Sequence, residues 1–200
     1  MTSAVATPNV PPANVPPAVR DEIIALLPNL RAFARTLTRN VTLSDDLVQD
    51  TVVKAWSHIE RFELGTDLRA WLFTILRNHY YSLRRKYRRE VEDIDGKFSN
   101  FLATQPAQTV ATDLLDFWRA FAKLNDEQRE ALTLVGASGF SYDEAAAICG
   151  CAVGTIKSRV NRARSHLAEQ LNLPRQGTII GSEADTIAES RADAPIASPR

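Results

Sequence analysis

The chain has 200 residues, 44% of them hydrophobic, and a formal net charge of zero. That length and apolar content fit one or two small globular domains and exclude a wholly disordered protein. A neutral total excludes a uniformly basic nucleic-acid binder but not a local one, because an anion responds to nearby charge rather than to the sum. Arg84, Arg85, Lys86, Arg88 and Arg89 form one basic run, and Lys157, Arg159, Arg162 and Arg164 another. Acid collects at Asp45, Asp46 and Asp50, at Glu90 to Asp95, and in the C-terminal tail. The two cysteines, Cys149 and Cys151, form a C-x-C pair. With no Cys or His close by, they do not provide a four-ligand zinc site, and residues this near make a poor disulfide. Cys149 is expected as a small core residue at a helix end and Cys151 in a turn. No apolar run reaches membrane-spanning length, and the N-terminus lacks a basic region followed by an apolar one. These features predict a soluble cytoplasmic protein.

Residues 1–18 hold five prolines among small residues and are expected to be disordered or extended. From Arg20 the pattern turns helical through Ile23, Leu27, Leu30, Phe33, Ala34 and Leu37, with Pro28 predicting a break or kink. Ser44 is expected to cap a second helix, carrying Leu47, Val48, Thr51, Val52, Ala55, Trp56 and Ile59 on one stripe. Asp46, Gln49, Asp50 and Lys54 lie off that stripe. Gly65, Thr66 and Asp67 punctuate the chain and cap a third helix. Its apolar face holds Leu68, Trp71, Leu72, Ile75, Leu76, His79 and Leu83. Trp56, Trp71 and His79 therefore read as core residues. The other face holds Arg77, Asn78, Tyr81, Arg84 and Arg85, for which the pattern offers no core role. Aromatic rings mixed with Arg suit single-stranded DNA, since rings stack on bases while Arg follows phosphate. These helices predict one domain over residues 19–90.

Residues 91–112 lose periodicity and read as a linker with a short helix near Phe98 to Leu102. Helices resume at Asp113, with Leu114, Leu115, Trp118, Phe121, Ala122 and Leu124, and Asn125 caps the next. The stretch SYDEAAAICGCAVGTIKSRVNRARSHLAEQL, beginning at Ser141, carries the most information. Ser141 and Glu144 have capping-box spacing, and Gly150 lies where a left-handed residue ends a helix. A second helix is expected from about Thr155. Ile156, Val160, Ala163, Leu167 and Leu171 recur at spacings of three and four and share one face. Lys157, Ser158, Asn161, Arg162, Arg164 and Ser165 fall mainly off it. A helix, a tight turn and a helix bearing donors for phosphates and base edges match major-groove recognition. A second all-α domain over residues 113–172 follows, and residues 173–200 are expected to be disordered.

The segments DDLVQDTVVKAW, GTDLRAWLFTILRN and YDEAAAICGCAVGTIKSRVNRAR together resemble the extracytoplasmic-function group of bacterial sigma-70 factors, in that family's order and across residues 19–172. FELGTDLRAWLFTILRNHYYSLRRK further resembles the alphaproteobacterial general-stress-response subgroup. The resemblance implies an all-α protein of two domains, sigma2-like and sigma4-like, with no catalytic residues and no cofactor. It implies that Asp46, Gln49 and Asp50 dock on the β′ clamp helices of core RNA polymerase, with the β flap as a further contact. It implies that loop 60–67 and Asn78 receive a flipped −10 base while Arg77, Arg84 and Arg85 steer phosphates beside Tyr81. Lys157, Ser158, Arg159, Asn161, Arg162 and Arg164 correspond to the −35 reader. Asn161 occupies a variable family position, so base preference does not follow. Control by a small anti-sigma protein, displaced by a phosphorylated sigma mimic, is also implied.

Two other readings compete. A sigma-like mimic would need neither basic surface, and this chain has both, without a strand-helix receiver pattern. A stand-alone helix-turn-helix regulator would leave the first domain unexplained. An enzyme reading lacks a catalytic constellation: there are three His residues and no glycine-rich phosphate loop.

Overall fold

The computed structural model describes residues 16–63, 65–92 and 112–173. Seven α-helices make up those residues: α1 Pro17–Thr38, α2 Val41–Ser57, α3 Leu68–Glu92, α4 Thr112–Ala122, α5 Asp126–Leu132, α6 Tyr142–Cys149 and α7 Val153–Gln170. A 3-10 turn at Ile59–Arg61 joins α2 to the loop before α3, and a π-type turn at Thr133–Ala137 prolongs α5. The short helix expected near Phe98 to Leu102, and nearly all of the linker and both tails, lie outside the described residues.

Helix α1 starts at Pro17, inside the segment expected to be irregular, and buries Val19. Proline suits this first position because it has no N–H to leave unsatisfied. Pro28 does not end the helix, contrary to the expected break. Both Pro28 and Ile24, whose carbonyl loses its helical partner, are exposed, so water satisfies what the ring removes. Helix α2 is capped by Asn40, not Ser44: the Asn40 Oδ1 accepts from the Leu43 N–H at 3.0 Å. Ser44 is a buried residue of the first turns and donates to the Val41 carbonyl at 2.6 Å. Before α3, Asp67 Oδ1 accepts from the N–H groups of Arg69 and Ala70.

The C-terminal helices carry the strongest local signals. Asn125 with Gln128, and Ser141 with Glu144, form reciprocal capping boxes at the starts of α5 and α6. Gly150 adopts φ 63°, and the Cys151 N–H closes back on the Ala146 carbonyl at 3.1 Å. That bond spans one residue more than a helical one, as at a Schellman helix end. Helix α7 begins at Val153, two residues before the expected start, and buries Ile156, Val160, Ala163 and Leu167. Cys149 is buried at the end of α6, and burial, then the nearby Glu130 charge, pushes its thiol up to about 12. Cys151 is half-buried in the turn, and both cysteines are free.

The two halves were expected as separate bodies, and instead they share a core. Phe33 of α1 stacks on Phe73 of α3 at 4.9 Å between ring centroids, and Phe73 meets Phe140, just before α6, edge-on at 4.9 Å. The Arg69 guanidinium lies 3.9 Å from the Phe140 ring centroid, a cation–π contact across the same boundary. One buried cluster thus runs from Val19 to Val160. A smaller one joins α4 to α7 through Phe121, Leu124, Ala163 and Leu167, leaving Leu114 and Trp118 of α4 exposed.

Two outcomes test this local reading. Asn40→Ala is expected to lower stability by about 1 kcal/mol, the usual loss for a polar N-cap, and Ser44→Ala by less; urea unfolding midpoints measure both. Iodoacetamide is expected to label Cys151 in the native protein and Cys149 only after unfolding, because the thiolate reacts and the buried thiol resists ionisation. Mass spectrometry of the labelled peptides reads the difference.

Candidate nucleic-acid interface

The helix-turn-helix is α6, the turn at Gly150 to Ala152, and α7. With its apolar stripe buried, α7 presents Lys157, Asn161, Arg162 and Arg164 to solvent, and Ser158 is half-buried. Lys157 Nζ sits 5.4 Å from the Tyr142 ring centroid on α6, so the two helices support each other's polar surface. Arg159 differs from its neighbours. Its side chain is 20% exposed, pairs with Glu127 of α5 at 2.8 Å and donates to the Cys151 sulfur at 3.8 Å. No side chain caps the α7 N-terminus, which leaves its first N–H groups able to face an anion.

Helix α3 carries the second set. Asn78 and Arg85 are exposed, as their register predicts. Arg77, Tyr81 and Arg84, for which the sequence pattern offered no core role, are engaged instead with α5. Arg77 Nε donates to Glu130 Oε1 at 2.6 Å, and the Tyr81 hydroxyl donates to Glu130 Oε2 at 3.1 Å. Arg84 pairs with Asp126. The Arg77 guanidinium also lies over the Tyr81 ring at 4.7 Å from the centroid. The Glu130 side chain is 1% exposed and that of Arg77 18%. Burial pushes the Glu130 carboxyl above its ordinary range, against the pull of Arg77 and the hydrogen bonds from Arg77 and Tyr81. Burial alone would lower Arg77, but Glu130 and lesser neighbours outweigh it and hold the guanidinium charged. A carboxylate in this place leans wholly on its two donors, since a buried charge without partners costs several kcal/mol.

Sequence reasoning missed Glu130, and with it Asp126 and Arg129. Arg129 is buried within α5 and donates to the Leu124 carbonyl at 2.6 Å and to the Thr36 carbonyl of α1 at 3.3 Å. Arg39, whose backbone is left-handed at φ 55°, reaches the Leu124 carbonyl at 3.4 Å. The available signal was a charged Arg-Glu pair inside an otherwise apolar helix face, next to Ala131 and Leu134, where side chains need partners from outside the helix.

On α2, Asp46, Gln49 and Asp50 are exposed on the side opposite the core. Asp50 has a partner: its Oδ2 lies 3.0 Å from His79 Nε2 on α3. The other ring nitrogen, Nδ1, meets the Lys54 ammonium. An ammonium can only donate, so Nδ1 accepts and the ring proton sits on Nε2, directed at Asp50. His79 is the buried, satisfied residue that its register suggested, and it ties α2 to α3. In the loop before α3, Phe62 packs on Trp71 at 5.3 Å between centroids, which fixes the loop against the core. Trp71 is buried and Trp56 partly so. Among the described residues no group of three or more His, Cys, Asp or Glu is placed to hold a metal ion, and no helix is long and apolar enough to cross a membrane.

Comparison with known proteins agrees with this layout. Residues 23–90 match the family described as Sigma-70 region 2, and residues 114–167 match Sigma-70, region 4. The chain is 58% identical over 154 residues to the ECF RNA polymerase sigma factor EcfG of Rhodopseudomonas palustris (strain TIE-1), covering 77% of this chain and 85% of that protein. It is 38% identical over 129 residues to a probable RNA polymerase sigma-C factor of Mycobacterium bovis, covering 64% of this chain and 70% of the relative. Among solved structures, the sigma factor RpoE in complex with the anti-sigma factor NepR from Bartonella quintana superimposes with a TM-score of 0.71 at 54% identity, over 79% of this chain and 99% of that one. A PhyRSL–NepR complex from Sphingomonas sp. Fr1 shares the fold alone, with a TM-score of 0.58 at 21% identity. With a region 2 bundle and a region 4 helix-turn-helix in the family's order, and relatives this close, the chain belongs to the extracytoplasmic-function group of the sigma-70 family of RNA polymerase sigma factors.

Proposed function

We propose that this chain acts in the cytoplasm by carrying core RNA polymerase to promoters of general stress-response genes and opening them there, with no chemical step of its own. The observation that carries this reading is the division of labour between helix faces. Helix α7 buries an apolar stripe and exposes Lys157, Asn161, Arg162 and Arg164. Those four, with Ser158 and Arg159, are assigned to the −35 element, where Lys, Arg and Asn donate to phosphates and base edges. Arg77, Asn78, Tyr81, Arg84 and Arg85 of α3, with loop 60–67, are assigned to the unpaired −10 strand. A base leaves its stack at a cost of a few kcal/mol, which a receiving pocket must offset. Asp46, Gln49 and Asp50 are assigned to the polymerase clamp helices. Asp50 lies beyond the first turn of α2, so the helix dipole does not explain it.

The units we assign to these tasks are residues 19–90 and 113–172, with 91–112 as the connection and 1–18 and 173–200 as extensions. Control falls to an anti-sigma protein, as the RpoE–NepR pairing of the Bartonella quintana relative suggests. Such a partner would bind the region 2 and region 4 halves together and compete with the polymerase for α2.

Transcription in vitro with purified core polymerase tests the reading as a whole: the chain is expected to support initiation from a promoter carrying both elements, and no transcript would contradict it. Within that assay, Arg162→Ala is expected to weaken use of a −35-dependent promoter by about 1–3 kcal/mol, or roughly 5- to 150-fold. Its far-UV circular dichroism should be unchanged, since the side chain is exposed. Asp50→Arg is expected to abolish co-purification with core polymerase while the fold persists. Retained co-purification would remove Asp50 from the docking face.

A further inference from the structure

Three acids at the start of α5 each hold an arginine assigned above to DNA. Asp126 holds Arg84, Glu127 holds Arg159, and Glu130 holds Arg77 together with Tyr81. Arg77 and Arg84 come from the −10 set and Arg159 from the −35 set, so a single short acidic edge engages both. The two sets converge on one open cleft of about 430 Å³ between α3 and α5, lined also by Asn125.

We propose that this acidic edge of α5 is an internal stand-in for DNA phosphate, which closes the chain on itself and withholds α3 from single-stranded DNA. The inference rests on the assignment of Arg77, Tyr81 and Arg84 to the −10 strand. On α3 these residues are spaced four and three apart, so they project from one face; on α5, Asp126 and Glu130 are four apart and likewise share a face. The match is donor for acceptor. A carboxylate takes charge-assisted hydrogen bonds from guanidinium and phenol groups just as a phosphate oxygen does. The same N–H and O–H groups cannot serve both anions, so closure and strand binding exclude each other.

The chemistry of this contact suits a surface that must separate. A purely apolar seam would expose greasy area on opening. Here Arg77, Tyr81 and Arg84 pass from a carboxylate to a phosphate, and Glu130 passes from the interior to water, so no charge is left buried and alone. The apolar part of the seam is confined to the Phe73–Phe140 contact beneath Arg69. Arg129 on the Thr36 carbonyl and Arg39 on the Leu124 carbonyl complete the closure on the α1 side. Closed and open forms are then two populations, and whatever binds the open form draws the equilibrium toward it.

The test uses the full-length chain and two variants, Asp126→Ala/Glu130→Ala and Asp126→Asn alone, each checked for helix content by circular dichroism. Small-angle scattering reads compactness. Fluorescence anisotropy reads binding to a labelled single-stranded oligodeoxynucleotide of mixed sequence at fixed salt. The double variant is expected to have a larger radius of gyration and to bind the strand about tenfold more tightly than the unmodified chain, with Asp126→Asn between the two. If the double variant fails to fold, Asp126→Asn decides alone by the same readouts. Unchanged compactness and affinity would overturn the closure while leaving the DNA assignment of α3 standing. Expansion without any gain in affinity would overturn that assignment, and the proposal with it.

Discussion

The hydrogen-bonded group of Glu130, Arg77 and Tyr81 is the interaction on which the arrangement of this protein depends. It joins helices separated by 53 residues of sequence, and it places a carboxylate with 1% exposure against two donors from the other half of the chain. Nothing in the local rules of helix formation requires it. The helices would form without it, each held by its own caps and its own apolar stripe. What it decides is where region 4 sits on region 2, and therefore which surfaces face water.

That position has a functional sense. The surfaces left open are the clamp-facing side of α2 and the outer face of α7. The surface covered is the stretch of α3 that carries Arg77, Tyr81 and Arg84. A sigma factor that met DNA with every basic surface open would bind it without regard to sequence, because phosphate contacts carry most of the affinity and none of the specificity. Closing one set against an internal acid leaves the polymerase-docking face available while strand binding waits for the halves to part. The His79 bridge adds a second coupling: one imidazole joins Asp50 on the docking face to the helix that carries the −10 set. Docking and strand recognition thus meet in the packing of α2 on α3.

Much of the architecture was legible from short-range chemistry. Capping boxes at Asn125 and Ser141, a left-handed Gly150 and the stripe from Ile156 to Leu167 are all settled within a few residues of the chain, and each stands where its spacing indicated. Errors arose where two local signals competed or where the partner was distant. Asn40 and Ser44 are both good caps, and the choice went to Asn40 because the helix could extend back over Val41 to Leu43. Pro28 looked like a break because the ring costs a hydrogen bond, yet a solvent-facing carbonyl makes that cost small. Arg77, Tyr81 and Arg84 read as a free polar face because helical periodicity reports which side a residue is on, not what lies across from it. Their partners belong to a segment whose own polarity looked like an ordinary helix start.

The account stands or falls on whether the halves that meet at Glu130 separate when the protein works. Electron–electron resonance between spin labels at Ser57 and Ser165, both exposed, with Cys151 replaced by serine, measures the span directly. A single short distance is predicted for the free chain, replaced by a much longer one on addition of core polymerase and promoter DNA. The same distance in both states, or a broad distribution in the free chain, would contradict the account.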